Sequence, residues 1–145
     1  MKIQTLNQDH HTAMFNVVKA VLQAQGLKAE FYWPEDMLGE ELEQTEALGI
    51  FKGGELAGFV LYRLLPMAWE ISLVATSPRF RRQGLMETLL AQLINAKGQG
   101  MELWLEVHEN NVSAQNLYEK LGFRRTGVRT KYYKDGASAF LYSCP

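Results

Sequence analysis

Three arginines stand directly before a predicted helix in residues 77–86, which read SPRFRRQGLM. They are Arg79, Arg81 and Arg82, and Gly84 opens the helix. The first turn of a helix has backbone N–H groups without intrahelical partners and carries the positive end of the helix dipole, so it favours bound anions. Gly84 has no side chain and lets a phosphate approach the backbone. The spacing therefore predicts a loop that binds a pyrophosphate.

The same loop has a plainer explanation, because a basic surface loop that caps a helix has a similar composition. The common nucleotide-binding motifs are absent from the sequence. Gly53 and Gly58 have the spacing of a P-loop, but Phe59 stands where that motif requires lysine, and no G-x-G-x-x-G occurs. Any phosphate site here thus differs from those two signatures.

A carboxylate and a phenol follow the loop at a spacing that brings them towards one cleft. Residues 101–107 (MELWLEV) alternate as a strand, and Glu106 lies on the face opposite the leucines. Tyr118 comes two turns after Asn111 on the next helix. A carboxylate can accept a proton and a phenol can donate one, so the pair offers one base and one acid. A solvated strand-end carboxylate and a core aromatic are the alternatives, and His108, on the same strand face, is a competing base.

An α/β sheet must position these segments. Apolar residues at helical spacing indicate helices that begin near residues 9, 33, 84 and 111. Alternating runs indicate strands over residues 2–6, 47–52, 55–64, 69–75 and 101–107, and two more strands flank Asp135-Gly136. The order is βααβββαβαββ. We expect a mixed, mostly antiparallel sheet with one parallel β-α-β step, and the chemistry at that step.

Length and composition indicate one packed domain over residues 1–145. Hydrophobic residues make up 47% of the chain and charged residues 21%. The longest apolar runs fall far short of the roughly 20 residues that cross a bilayer, and the N-terminus lacks a signal-peptide core. We therefore expect a cytoplasmic protein with no membrane partner. The single cysteine, Cys144, excludes an internal disulfide and is expected at the surface or at an edge.

Charge is unevenly distributed although the net charge is −1. Residues 1–70 carry −5 and residues 71–145 carry +4. Such a division suits an enzyme with an anionic cofactor and a cationic substrate, although solvated surfaces produce the same tally. Direct nucleic acid binding is not expected at this net charge. The adjacent His10 and His11 have no evident third ligand, so no metal is expected.

Two segments together resemble the GNAT superfamily of N-acetyltransferases. Residues 81–86 (RRQGLM) are similar to the signature Q/R-x-x-G-x-G/A, with Met86 where the family usually has glycine or alanine. Residues 103–123 (LWLEVHENNVSAQNLYEKLGF) resemble the strand, asparagine and N-x-x-A-x-x-L-Y-x-x-L-G-F helix of bacterial ribosomal-protein-alanine N-acetyltransferases. The likeness covers residues 71–143 well and the first 50 loosely. It implies the GNAT fold, with acetyl-CoA as co-substrate.

The resemblance also implies roles for single residues. Glu106 would be the general base and Tyr118 the general acid, while Asn111 would bond the pantetheine arm. The side chain of Met86 would stand near the phosphates. The backbone of the strand before the loop would pair with the arm through Val74, Ala75 and Thr76. The pyrophosphate would be held by Arg81, Arg82, Gln83, Gly84, Leu85 and Met86.

The acceptor in the resembled family enters between the first two helices and the last hairpin, which implies contacts from Tyr32, Trp33 and Tyr132. Ordinary packing explains these aromatics equally well. An α-amine with a pKa near 8 is roughly 10% neutral at pH 7, whereas a lysine is under about 0.1% neutral. A weak base such as Glu106 therefore suits an N-terminal amine. The acidic stretch 35–46 could attract a basic ribosomal-protein tail.

Three hypotheses follow from the resemblance. The first is direct acetyl transfer from acetyl-CoA to an amine, with the N-terminal α-amine of a protein as the acceptor. The second keeps the fold and replaces the acceptor with a small amine such as a polyamine, amino acid or aminoglycoside. The third is a non-catalytic acyl-CoA-binding regulatory domain, which Met86 would slightly favour.

Overall fold

The computed structural model describes residues 1–25 and 33–145. Within them, seven strands form one sheet in the order β1-β2-β3-β4-β5-β7-β6. The strands are β1 Lys2–Leu6, β2 Glu46–Lys52, β3 Glu55–Leu64, β4 Ala68–Thr76, β5 Glu102–His108, β6 Arg124–Arg129 and β7 Ala139–Cys144. Neighbouring strands pair antiparallel except β4 and β5, which are parallel.

Four α-helices among the described residues cover the two faces of this sheet. They are α1 His11–Gln25, α2 Glu35–Gln44, α3 Leu85–Ala96 and α4 Val112–Lys120. None of the helices in the described part of the chain is long and apolar enough to cross a bilayer. Short 3₁₀ turns precede α1 at Gln8–His10 and follow β4 at Pro78–Phe80.

Each face of the sheet has its own apolar core. On the first face, the stripe of α1 that includes Met14 and Val18 packs with Leu38 of α2. On the second face, Leu89 of α3 and Tyr118 of α4 pack together. The strands serve both cores because successive side chains point to opposite faces. The residues of β3 show this alternation, with Phe59 and Leu61 in the first core and Val60 in the second.

The parallel strands β4 and β5 pair along only part of their length. Ala68–Glu70 pairs with Glu102–Trp104, and no further partners join the two strands in the described residues. Ser72 is an extra residue where the register of β4 shifts against β3, and such a bulge bends a strand. β5 meanwhile stays paired with β7 as far as His108. The two strands therefore separate after Glu70 and leave an opening at their carboxyl ends.

The predicted element order, mixed sheet and single parallel step are confirmed. Gly53 and Gly54 have φ values of 60° and 80°, as a two-residue hairpin turn requires. The last hairpin is longer than its Asp135-Gly136 dipeptide suggests. β6 ends at Arg129 and β7 begins at Ala139, so residues 130–138 form an extended connection.

The expectation that Cys144 lies at the surface or at an edge is wrong. Its strand, β7, is inserted between β5 and β6, so it has a partner on each side. Cys144 pairs with Leu103 of β5, and only 7% of its surface is exposed. A position near the end of the chain therefore coincides with an interior position in the sheet.

Candidate active site

A cavity of about 430 Å³ occupies the opening between β4 and β5. Its two walls are Glu70 to Thr76 of β4 and Trp104 to His108 of β5. The residues that complete the lining are Val21, Trp33, Arg81, Asn111, Tyr118, Tyr132 and Tyr133. Because these come from helices and loops on both faces of the sheet, the cavity can admit one ligand from each face.

The β4 wall offers backbone groups to a ligand. One edge of the strand pairs with β3, in which Val74 faces Val60 and Thr76 faces Gly58. Beyond Glu70, the other edge faces the cavity rather than β5. Peptide groups of a strand point alternately to its two edges, so this stretch can pair with an extended amide-containing arm. Val74, Ala75 and Thr76 all line the cavity, as the predicted pairing with pantetheine requires.

The loop after β4 forms a backbone cradle at the start of α3. Arg82 and Gly84 have φ values of 62° and 73°, both in the left-handed region, and α3 starts at Leu85. Gly84 is the N-cap and has no side chain to satisfy the helix N–H groups. Its open first turn and the alternating backbone conformations are the features of an anion-binding nest.

The arginines of this loop divide into two kinds. Arg79 is held by Glu55 through Nη1, at 2.9 Å from Oε1. Arg81 and Arg82 are exposed, and Arg81 also lines the cavity. Gln83 accepts a hydrogen bond from Lys52. Two cationic side chains thus stand at the mouth of the cradle, where they can neutralise a phosphate.

The side chain of Met86, expected near the phosphates, is buried in the core rather than exposed at the cradle. It is buried, with 7% of its surface exposed, and belongs to the core between α3 and the sheet. Its Cε lies 3.3 Å from the point where a Cβ on Gly58 would stand. Gly58 therefore provides the room that Met86 fills. The backbone amide of Met86 remains in the first turn of α3, so this substitution removes nothing from the cradle.

Glu106 faces the cavity on β5, between the buried Leu105 and Val107. Its side chain is 22% exposed. The Nε of Arg129 donates a hydrogen bond to Oε1 of Glu106 over 2.9 Å. The phenol of Tyr132 donates a second one. The negative charge of Glu106 is the main reason that the pKa of Tyr132 is raised, with burial and that hydrogen bond adding to it.

A second carboxylate, Glu70, lines the same cavity and has no role in the sequence analysis. Burial raises its pKa, the positive charge of Arg63 partly opposes the rise, and the negative charge of Glu106 adds to it. The sequence itself marks this position, because Glu70 is the one charged residue in the strand AWEISLVAT. A lone carboxylate in an apolar strand that borders the parallel step is a candidate for ligand contact.

Tyr118 reaches the cavity from the opposite core. Its side chain is 5% exposed and packs against Phe123 and Tyr142, with ring centroids 5.8 and 6.3 Å away. Burial raises the pKa of Tyr118, and the nearby Tyr133 adds to the rise. The phenol therefore keeps its proton at working pH. The core aromatic and the proton donor, set out as alternatives above, are compatible in this position.

Asn111 is the N-cap of α4. Its Oδ1 accepts a hydrogen bond from the backbone N–H of Ala114 over 3.2 Å. The residue also lines the cavity. The backbone N–H of Asn111 donates to the carbonyl of His108, and its carbonyl accepts from Gln115. A ligand contact from Asn111 would therefore use its side-chain N–H group.

His108 anchors the connection between β6 and β7. Its Nε2 is 2.8 Å from Oδ2 of Asp135, and its Nδ1 accepts the backbone N–H of Asn110 over 3.0 Å. The ring stacks on Tyr133 at 4.8 Å, and the residue is 5% exposed. Both ring nitrogens are engaged, so a role as base would require His108 to break one of these bonds.

The predicted acceptor contacts are partly brought together. Trp33 and Tyr132 line the cavity, joined by Tyr133, whereas Tyr32 lies outside the described residues. Of the predicted cofactor contacts, five border the cavity: Val74, Ala75, Thr76, Arg81 and Asn111. The loop and first-turn residues Arg82, Gln83, Gly84, Leu85 and Met86 form the adjacent cradle. In the described part of the chain no cluster of three His, Cys, Asp or Glu side chains could hold a metal.

Comparison with known sequences decides the family. The acetyltransferase (GNAT) family pattern matches residues 13–123. The chain belongs to the GNAT acetyltransferase family. This GNAT chain is 31% identical over 128 residues to the N-alpha-acetyltransferase RimI of Mycobacterium tuberculosis, covering 83% of the chain and 80% of that relative.

Solved structures agree with the GNAT assignment. The crystal structure of the ribosomal-protein-S18-alanine N-acetyltransferase from Escherichia coli has a TM-score of 0.86 at 27% identity, covering 99% of this chain and 92% of that one. In sequence, the part aligned with that E. coli relative is 84 residues, 57% of its length. A GNAT acetyltransferase from Elizabethkingia anophelis with acetyl-CoA bound shares the fold at a TM-score of 0.68 and 21% identity, over 77% and 82% of the chains.

The predicted fold class, enzyme class and co-substrate are therefore confirmed. The protein is an acetyl-CoA-dependent N-acetyltransferase. The residues present also fit that co-substrate. The free edge of β4 suits the amides of the pantetheine arm, and the cradle before α3 suits the pyrophosphate. The buried hydroxyl of Ser72, which has no partner in the described structure, lines the same cavity and could serve a ligand.

Proposed function

We propose that this enzyme acetylates the N-terminal α-amine of a protein by direct transfer, with Glu106 as general base and Tyr118 as general acid. The observation that carries the proposal is that both side chains line one cavity, Tyr118 from the core that contains Leu105 and Val107, and Glu106 from the other face of β5. An acceptor that enters on the Glu106 face would meet an acetyl group held against β4. His108 is the weaker candidate for the base because both of its ring nitrogens are engaged.

The proton inventory supports these two roles. The acceptor arrives as an ammonium and must lose one proton before its nitrogen lone pair can attack the thioester carbonyl. Glu106 takes that proton, directly or through water. The C–N bond then forms, and as the C–S bond breaks the leaving sulfur takes a proton from Tyr118. The nitrogen loses its second proton, which returns to Tyr118 through water, and Glu106 releases its proton to solvent, so the products are the amide, the thiol and one proton. Burial raises the pKa of Tyr118, so the phenol enters the reaction with its proton in place. Because a thiolate is a weaker base than a phenolate, the transfer to sulfur must be coupled to loss of a proton from the positively charged nitrogen of the adduct.

Three observations favour an α-amine as the acceptor. An α-amine loses its proton far more readily than a lysine does, and Glu106 is a weak base. The relatives of this chain carry the names N-alpha-acetyltransferase and ribosomal protein bS18-alanine N-acetyltransferase. The cavity mouth also carries Trp33 and Tyr132, whose flat faces suit a peptide backbone better than a small polyamine.

An acidic helix, α2, begins two residues after Trp33 of the cavity lining and fits a basic protein segment. The residues on α2 and at its end include five exposed carboxylates and no lysine or arginine. They are Glu35, Asp36, Glu40, Glu43 and Glu46. Such a face raises the local concentration of a cationic chain and accelerates its encounter, an effect that salt screens. We therefore include a basic N-terminal segment, as on a ribosomal protein, in the proposed acceptor.

The test is a peptide that carries a free N-terminal alanine and an internal lysine. After incubation with acetyl-CoA, mass spectrometry locates the acetyl group. We expect the label on the α-amine. Label on the lysine, or turnover only of free polyamines, amino acids or aminoglycosides, would replace the proposed acceptor. Stabilisation by acetyl-CoA without turnover of any amine would instead support a binding domain, a hypothesis that the buried Met86 no longer favours.

A further inference from the structure

Arg129 contacts the proposed base from two strands away. It is the last residue of β6, and both Arg129 and His108 are partners of Ala139 on β7, on its two sides. The side chain of Arg129 therefore crosses over β7 to reach β5. Its Nε lies 2.9 Å from Oε1 of Glu106, and its guanidinium carbon lies 5.7 Å from the ring centroid of Tyr132.

The contact leaves one carboxylate oxygen of Glu106 without this donor. A bidentate arginine would occupy both oxygens, whereas here the hydrogen bond runs from Nε to Oε1. Arg129 also spans from Glu106 to Tyr132, whose phenol donates to the same carboxylate. Arg129, at the end of β6, and Tyr132, in the connection that follows it, thus both restrict the rotation of the Glu106 carboxylate. Oε2 is the oxygen that Arg129 leaves open.

A fixed carboxylate matters because proton transfer depends on orientation. A base that rotates freely spends only part of its time aligned with the acceptor nitrogen, and misplacing a reacting group by about 1 Å can lower a rate about 10²-fold. In the part of the chain that the structure describes, Glu106 is the carboxylate with which Arg129 forms an ion pair. It is half exposed, so a purely surface ion pair is the competing explanation, and it would leave turnover unchanged.

We propose that Arg129 is a positioning residue, which orients Glu106 for proton abstraction through the hydrogen bond from Nε to Oε1. This inference rests on the proposed role of Glu106. It predicts that the hydrogen bond, rather than the positive charge, is what turnover requires. A glutamine at position 129 separates the hydrogen bond from the charge, because its amide nitrogen lies the same number of bonds from the backbone as Nε of arginine.

The experiment compares Arg129→Gln with Arg129→Met. Glutamine keeps a donor at the position of Nε and removes the charge, whereas methionine keeps the chain length and removes both. We expect kcat of R129Q to stay within about threefold of the wild type, and kcat of R129M to fall about 10- to 100-fold with KM for acetyl-CoA unchanged. R125M is the matched control, because Arg125 is also an exposed β6 arginine but stacks on Phe140 at 4.4 Å.

A double-mutant cycle decides whether Arg129 acts through Glu106. In an E106Q background, R129M should cause no further loss, since the group that it orients is already gone. Equal losses in R129Q and R129M, no loss in either, or an undiminished loss in the E106Q background would each overturn the inference. Thermal melting checks that every variant is folded.

The outcome is separable from that of the proposed function. The acceptor is established first on the wild-type enzyme, and the Arg129 series uses whichever amine is turned over. If lysine or a small amine is the acceptor, the proposed acceptor fails while the ratio of R129Q to R129M still tests the positioning. If E106Q is fully active, the proposed base fails, and the inference about Arg129 falls with it.

Discussion

The two sides of the cavity are built in different ways. The co-substrate side consists mainly of backbone, from the free edge of β4 through the cradle to the first turn of α3, all within residues 70–88. The acceptor side consists of side chains from five separate segments, and ion pairs and hydrogen bonds join several of them. A backbone site depends little on the side chains that its residues carry, whereas a side-chain site depends on each partner.

The largest effect that this comparison predicts is on Tyr118, which serves the reaction from the co-substrate side through a side chain. In Tyr118→Phe the ring still fills the core and only the hydroxyl is lost. We expect kcat to fall about 10²-fold or more, with nearly unchanged affinity for acetyl-CoA. Steady-state kinetics and calorimetric binding of acetyl-CoA measure the two quantities.

Tyr142→Phe is the matched control for that change. Tyr142 is a neighbouring buried phenol, but its hydroxyl donates to Glu119 over 3.1 Å and does not line the cavity. Its loss should leave kcat within about twofold of the wild type. If Y118F and Y142F behave alike, Tyr118 is a core residue and the general acid is elsewhere.

The next effect concerns Glu106 and depends on pH. In Glu106→Gln the acceptor must lose its proton to solvent, so we expect kcat/KM to fall about 10²-fold at pH 7. Above pH 8 an α-amine is mostly neutral without help, and the loss should shrink to about tenfold. Rate profiles between pH 6 and 9.5 measure this. A loss of the same size at every pH would assign Glu106 a positioning role instead.

Glu102→Gln is the control on the same strand face. Glu102 accepts a hydrogen bond from Ser143 and lies four residues before Glu106, outside the cavity. We expect its pH profile to match that of the wild type. A shared deficit would mean that the strand, rather than the carboxylate in the cavity, is at fault.

Local pattern predicted most of the fold, the co-substrate side of the site and part of its acceptor side, including Glu106, Trp33 and Tyr132. Periodicity and turn residues give each element its type, and the phosphate loop and Tyr118 lie within single strand-helix segments that a linear motif can reveal. The roles of Arg129 and Asp135 depend instead on β7 entering between β5 and β6. That insertion follows from pairing between distant segments, which no short stretch of sequence records, and it also explains the buried Cys144.

A smaller effect is expected at Asp135, which ties the connection 130–138 to His108. Asp135→Asn weakens that anchor and loosens Tyr132 and Tyr133 at the acceptor mouth. We expect KM for the acceptor peptide to rise about threefold to tenfold, with KM for acetyl-CoA unchanged. Asp9→Asn, which changes an exposed carboxylate outside the cavity lining and outside the acidic helix, is the control. A rise in both KM values would show that the anchor supports the whole cavity.

Asp135 also gives a pH signature. The N–H of Ala137 and the side chain of His108 lower its pKa in the folded chain. A lowered pKa means that ionised Asp135 stabilises the fold above its unfolded pKa, and this contribution is lost as the pH falls through the folded value. D135N should therefore lower Tm at pH 7 and have little effect near pH 3. Equal changes at the two pH values would contradict the anchor.

The smallest effect is expected at Glu70, where the sign is reversed. Burial raises the pKa of Glu70, so the folded chain holds this proton more tightly than the unfolded chain does. Stability is therefore lost as the pH rises from the unfolded pKa through the folded one. Glu70→Gln removes that loss, and Tm should rise at pH 7 while changing little near pH 3.

The same variant loses a negative charge that faces the acceptor ammonium, so KM for the peptide should rise about threefold at constant kcat. Opposite shifts of Tm in E70Q and D135N at pH 7 would show that Glu70, which faces the ligand, destabilises the fold, whereas Asp135, which anchors the connection 130–138, stabilises it. A fall of Tm in both would reduce Glu70 to an ordinary stabilising contact.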